Sequence, residues 1–288
     1  MKSNNPVFNR SPEFNGQATN AYGNQTYPGN GTTYPGYGQQ GYSDPSTWGT
    51  GTPGTPTQVD QGRMTIDSVV QKTAISIALV FAAAFATWWW IGDVTENADL
   101  GQIGALVTVG AGGAFILSLV NSFKKVISPA LVMLFALAEG VALGAVSALF
   151  EAQYPGIVMS AVLGTFAAFA GTLAAYKFLN IKVGDKFRKG VVAAMFGFVA
   201  VSLLDFVLSF FDAEIGINGF GGIGLVMSVV GLGLGVLMLI LDFDFVERGI
   251  AAGLPERESW RAAFGLTVTI IWIYIEMLRI LAILRGND

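Results

Sequence analysis

The chain has 288 residues, 52% of them hydrophobic and only 12% charged, with a mean hydropathy of +0.55, far too apolar for a soluble domain of this length. A net charge of −4, a pI near 4.9 and the lack of a basic stripe exclude nucleic acid as a partner. Having no Cys and no His removes disulfides, thiol nucleophiles, Ser-His and Cys-His pairs and the usual zinc sites, so any response to pH near neutrality has to come from buried carboxylates.

Residues 1–62 are rich in Asn, Gly, Thr, Gln, Pro and Tyr, and Tyr-Pro-Gly occurs twice, at 27–29 and 34–36. So little aliphatic surface cannot offset the entropy of ordering a backbone, which predicts a disordered tail. No apolar region follows Met1 and Lys2, so a secretory signal is not expected. The tail is read either as a plain soluble extension or as a tyrosine-bearing segment that binds partners or wall material.

Residues 63–288 read as an all-α membrane domain. Seven apolar runs have the length needed to span a bilayer as helices: 70–91, 100–120, 129–150, 157–179, 190–211, 221–241 and 262–284. The connections after the second, fourth and sixth runs carry Lys124 and Lys125, then Lys182, Lys186, Arg188 and Lys189, then Arg248, Arg257 and Arg261. Those after the first, third and fifth carry Asp93, Glu96 and Asp99, then Glu151, then Asp212 and Glu214, without Lys or Arg. Basic loops stay in the cytoplasm. The expected topology in the plasma membrane therefore has a cytoplasmic N-terminus, an external C-terminus, and Trp88, Trp89 and Trp90 in the outer aromatic belt.

Small residues punctuate the spans: Gly110, Gly112 and Gly113, then Gly140 and Gly144, Gly164 and Gly171, and Gly231, Gly233 and Gly235. They predict close helix packing, and faces through which other membrane proteins can bind. The run GLGLG in the sixth span lacks the preceding strand of a dinucleotide fingerprint.

Acids occur where charge is costly: Glu139 in the third span, Asp205 in the fifth, Asp242 and Asp244 at the end of the sixth, and Glu276 in the seventh. A charge at mid-membrane costs about 2.5–3.5 kcal/mol on insertion scales, so these groups need one another, a cation, water or a proton. Counted from the cytoplasmic ends at about 1.5 Å per residue, Glu139 is expected about 15 Å deep, Asp205 and Glu276 about 20 Å, and Asp242 near the boundary. Such staggering suits a path. The competing structural readings are that Glu276 and Arg279 neutralise each other at i, i+3, that Asp205 faces a wet crevice, and that Asp242 and Asp244 are interfacial acids answered by Arg248.

The run LILDFDFVERG, a polar connection and then IIWIYIEMLRILAIL resemble the C-terminal end of the Bax inhibitor-1 family, also called the YccA or transmembrane Bax inhibitor motif family. ALAEGVALGAVSALF in the third span is similar to that family's third helix, and Lys124 and Lys125 fall where members carry a basic cluster. The resemblance, to a divergent bacterial-type branch, covers residue 69 to the end. It implies seven helices with the last one central, and a pH-sensitive calcium leak in which two aspartates on the last two helices share a proton and a basic latch closes the cytoplasmic side. Asp242 matches the first aspartate. The second falls on Glu276 if YIE is aligned, or on Thr269 if MLRIL is aligned.

The resulting expectation is a proton-gated cation pathway through Asp242, Glu276, Glu139, Asp205 and Asp244, with Lys124, Lys125 and Arg279 as counter-charges. Calcium would be held by Asp242 and Glu276, and no resident cofactor is needed. The rival is a non-conducting regulator that binds other membrane proteins or proteases. An enzyme is not expected: an aspartyl protease using Asp205 and Asp242 is disfavoured by their different depths, and a retinal protein by the lack of a Lys in the seventh span.

Overall fold

The computed structural model describes residues 62–94, 100–211, 213 and 215–286. The chain divides into two units, 1–57 and 58–288, and all the helices below belong to the second. The predicted tail, apart from residue 62, lies outside the described residues, as do Glu96, Asp99, Asp212 and Glu214.

Seven helices are long and apolar enough to cross a membrane: α1 (Ile66–Ile91), α2 (Leu100–Phe123), α3 (Pro129–Gln153), α4 (Ile157–Phe178), α5 (Asp185–Ser209), α6 (Gly222–Ala251) and α7 (Ser259–Gly286), with a 3-10 turn (Glu256–Glu258) before α7. Local sequence explains several of their starts. Thr65 and Ser68 exchange capping hydrogen bonds at the head of α1, Pro129 opens α3 where its missing N–H costs nothing, and Gly156, at φ +82°, turns the chain into α4. α5 and α6 overrun their predicted spans furthest, each at its charged end. α5 begins at Asp185 and not at 190, and α6 continues past 241 to Ala251. Charged turns at an interface can remain helical because the helix satisfies its own backbone.

Direction alternates along the chain. Arg248 donates to the Val183 carbonyl, Arg257 to that of Ile127 and Arg261 to those of Lys124 and Lys125, so the basic connections meet at one end. At the other, acidic end Arg285 donates to the Pro155 carbonyl and Arg279 to those of Ile217 and Gly219. The basic end is also strapped. The N–H of Met64 donates to the Leu254 carbonyl at 2.8 Å and that of Glu256 to the Gly62 carbonyl at 2.7 Å, while Lys72 of α1 pairs with Glu256 at 2.8 Å.

The last helix is central: α7 packs against α1, α3, α4 and α6. Its faces are filled by Leu239, Phe243, Ala262, Leu266 and Ile273 towards α6, by Val80, Ala136, Leu143 and Ile271 towards α1 and α3, and by Ile157, Ala161, Leu278 and Ala282 towards α4. Large apolar side chains such as Phe85, Trp89, Phe123 and Phe178 point outward, as a lipid-facing surface requires.

The small residues divide by use. A Cβ on Gly140 would strike the backbone of Val80, and one on Gly144 that of Ala84, so α1 and α3 touch backbone to backbone; Gly110 does the same for α2 and α3. Gly112, Gly171 and Gly233 face open space. Gly144→Val therefore lowers stability by about 1–3 kcal/mol through overpacking, whereas Gly112→Ala is neutral or slightly stabilising. Thermal unfolding of the two variants in the same lipid separates them, and equal losses would refute the backbone contact.

Candidate functional site

Where α6 and α7 run side by side, one line of small and polar residues faces another. On α6 the sequence Asp242, Gly235, Gly231, Ser228 and Gly224 follows the three- and four-residue spacing of one helix face, and on α7 the facing positions are Gly265, Thr269, Ile273 with Trp272, Glu276 and Arg279. Asp242 belongs to this seam at the level of Thr269, whose hydroxyl donates to its Oδ2 at 2.6 Å. Gly265 stands beside the carboxylate, and a Cβ there would be in ordinary contact with Asp242 Oδ1 at 3.4 Å. Because α6 extends to Ala251, Asp242 lies about 14 Å from the helix end and not at the boundary as expected. Thr269 is likewise about 15 Å into α7, so the two meet at one depth.

That contact is satisfied in either protonation state. Thr269 Oγ1 also lies 3.1 Å from the Gly265 carbonyl. Against a carboxylate the hydroxyl donates to Asp242. Against a carboxylic acid it accepts the acid proton and turns its own to Gly265, since a hydroxyl both donates and accepts.

Two turns further along α7, Glu276 is buried against the fully buried hydroxyl of Ser228. A Cβ on Gly231 would sit 2.8 Å from Glu276 Oε1. About 10 Å of helix separates Thr269 from Glu276, and that interval is plugged. Ile273 is fully buried against Gly235, and the Trp272 indole N–H donates to the Gly231 carbonyl at 2.9 Å. Thr269 is thus the residue brought to Asp242, and Glu276 occupies a separate station.

The remaining predicted residues take other positions. Arg279 interacts electrostatically with Glu276, without a direct ion pair among the described residues, and its guanidinium donates to the Ile217 and Gly219 carbonyls of the α5–α6 connection. Asp205 binds that same connection from below, accepting from the N–H groups of Ile215, Gly216 and Asn218 at 2.7, 3.1 and 2.8 Å. It lies outside the seam, one turn from the end of α5, and acts as a backbone anchor. Asp244 is turned towards α5, held by Arg188 at 2.7 Å and Arg248 at 3.0 Å. Lys124 and Lys125 expose their side chains and offer only carbonyls, to Arg261, so their ammonium groups make no latch on Asp242. Glu139 sits about 15 Å into α3, on the side where Phe135 meets Phe264 and Leu143 packs with Ile271, and it makes no hydrogen bond or ion pair among the described residues.

Sequence reasoning missed Ser228, Ile273 and Lys72. Lys72 carried a legible signal, as a cation inside an apolar run. Ser228 and Ile273 carried none, being ordinary membrane-helix residues until the register with α7 is known. Removing the anchor gives a local prediction: in Asp205→Ala the amides of Ile215, Gly216 and Asn218 exchange roughly thirtyfold faster, the equivalent of about 2 kcal/mol for hydrogen bonds to a charged acceptor. Unchanged exchange by mass spectrometry would show that the connection holds its shape without Asp205.

No curated protein matches the chain. The sequence model of the family described as Bax inhibitor 1 like matches residues 5–286. The chain is a multi-pass membrane protein that belongs to the Bax inhibitor 1 like family.

Proposed function

We propose that this protein is a pH-sensitive cation leak, with calcium as the ion and the α6–α7 seam as the pathway, closed in this structure. The observation that carries the reading is the Asp242–Thr269 contact, a membrane carboxylate whose hydroxyl partner can reverse its role when the carboxylate gains or loses a proton. With the proton on, the pair is neutral and the helices close on it. With the proton off, a carboxylate stands in the seam and favours a hard cation with oxygen ligands. Cation entry then rises with pH across the titration of this site.

Glu276 and Ser228 supply a second station, and Ile273 with Trp272 separates the two by an apolar constriction of the kind that gates by excluding water. Among the described residues no group of three acidic side chains gathers in one place, so the reading is staged passage and not a resident cation cage. In the plasma membrane the basic end faces the cytoplasm by the distribution of Lys and Arg.

Purified protein in liposomes loaded with a calcium-sensitive dye tests this. Asp242→Asn abolishes the pH dependence of flux, and Thr269→Val weakens it. Ile273→Ala, by removing the plug, raises basal flux by about tenfold or more. Flux that is unaltered by Asp242→Asn at every pH removes the seam from the pathway. No flux in any variant favours instead a regulator that acts by binding other membrane proteins, through small-residue faces such as those of Gly112 and Gly171 or through the N-terminal segment.

A further inference from the structure

Away from the seam, a groove of 390 Å³ opens between the first turn of α5 and the last turns of α6, with Arg188, Arg248, Asp244, Leu241, Phe245 and Ala252 in its lining. Its charges are unequally placed. The side chains of Arg188 and Arg248 are 39% and 49% exposed, while that of Asp244 is 9% exposed. The carboxylate thus sits behind and the two guanidinium groups in front. Each guanidinium keeps donors to spare, since Arg188 spends one N–H on Asp244 and Arg248 spends one on Asp244 and one on the Val183 carbonyl.

The surroundings add positive charge. Lys182, Lys186 and Lys189 are exposed beside the opening. Asp185 and Glu247, which accepts from the Tyr176 hydroxyl at 2.6 Å, offset two of these charges and leave the groove region net positive. The long axis of the groove follows α6 from Leu241, about 15 Å inside the helix end, to Ala252. The arginines therefore stand at the charged end of a trough whose other wall, Leu241 and Phe245, is apolar and reaches hydrocarbon depth.

A free anion has no use for that apolar wall, and a zwitterionic lipid brings with its phosphate an ammonium group that the two guanidinium groups repel. We propose that the groove binds one anionic phospholipid, its headgroup phosphate bridging Arg188 and Arg248 and one acyl chain lying along Leu241 and Phe245. The fork of donors on each arginine suits the oxygens of a phosphate, and basic pockets between helices at the charged face of a membrane domain take such headgroups. The site is independent of the flux reading, because none of its residues lines the seam.

Native mass spectrometry of the full chain in detergent, titrated separately with phosphatidylglycerol and phosphatidylcholine, tests the proposal. One phosphatidylglycerol is retained in preference to phosphatidylcholine. Arg188→Gln weakens that retention about tenfold, and so does Ala252→Trp, which fills the groove while leaving both arginines and Asp244 in place. The triple variant Lys182→Gln, Lys186→Gln, Lys189→Gln stays within about twofold of the parent, because exposed charges only attract at long range. Three results would overturn the site: equal retention of phosphatidylcholine, loss in the lysine variant with none in Arg188→Gln, and phosphatidylglycerol binding that persists undiminished in Ala252→Trp. Inorganic phosphate that competes at equal strength with phosphatidylglycerol would reassign the arginines to a soluble anion and likewise end the lipid proposal.

Discussion

A carboxylate inside a membrane domain has to be answered by something, and the hydrogen bond from Thr269 to Asp242 is the answer on which the α6–α7 pair depends. A hydroxyl is the smallest partner that suits both a charged and a neutral acid. Replacing it with a second carboxylate would give a coupled pair sharing one proton; a threonine leaves the proton to Asp242 and makes the neighbouring Gly265 carbonyl the alternative destination of its own hydrogen. Glycines at 231 and 235 follow from the same requirement, since polar groups on two helices can meet only if the backbones approach.

The other acids show how differently one residue type is used within one fold. Asp205 takes three backbone N–H groups and thereby closes a connection that would otherwise leave donors bare. Asp244, two residues beyond Asp242, is turned the other way by the helical angle between them and ends between two arginines. Glu276 lies against the buried Ser228 hydroxyl. Arg279 stays within electrostatic reach of Glu276 while its guanidinium donates to two carbonyls of the connection that Asp205 anchors.

Much of this was legible in the sequence. Run length gave seven spans, and the alternation of basic and acidic connections gave the two ends that the arginine-to-carbonyl contacts bring together. The resemblance at LDFDFVERG and MLRIL singles out Asp242 and Thr269, which the structure brings into contact. What run length could not give was where a helix stops, because charged turns such as 242–251 continue a helix as readily as they end a hydrophobic run. That misplacement makes Asp242 look shallow. Register is equally hidden: Ser228 and Ile273 acquire meaning only when α6 and α7 are laid against each other, and nothing in either helix alone fixes that alignment.

The strap at the basic end has a mechanical corollary. Gly62 and Met64 are stitched by main-chain bonds to the short link that also joins α6 to α7, and Lys72 is tied to that link by its ion pair with Glu256. Those three pieces form a pivot. If the two long helices spread, they do so like tongs, with displacement growing in proportion to distance from the pivot. Glu276, about 25 Å along α7, then travels about 1.7 times as far as Thr269 at about 15 Å, so the serine-lined station parts widely while the aspartate below it parts only slightly.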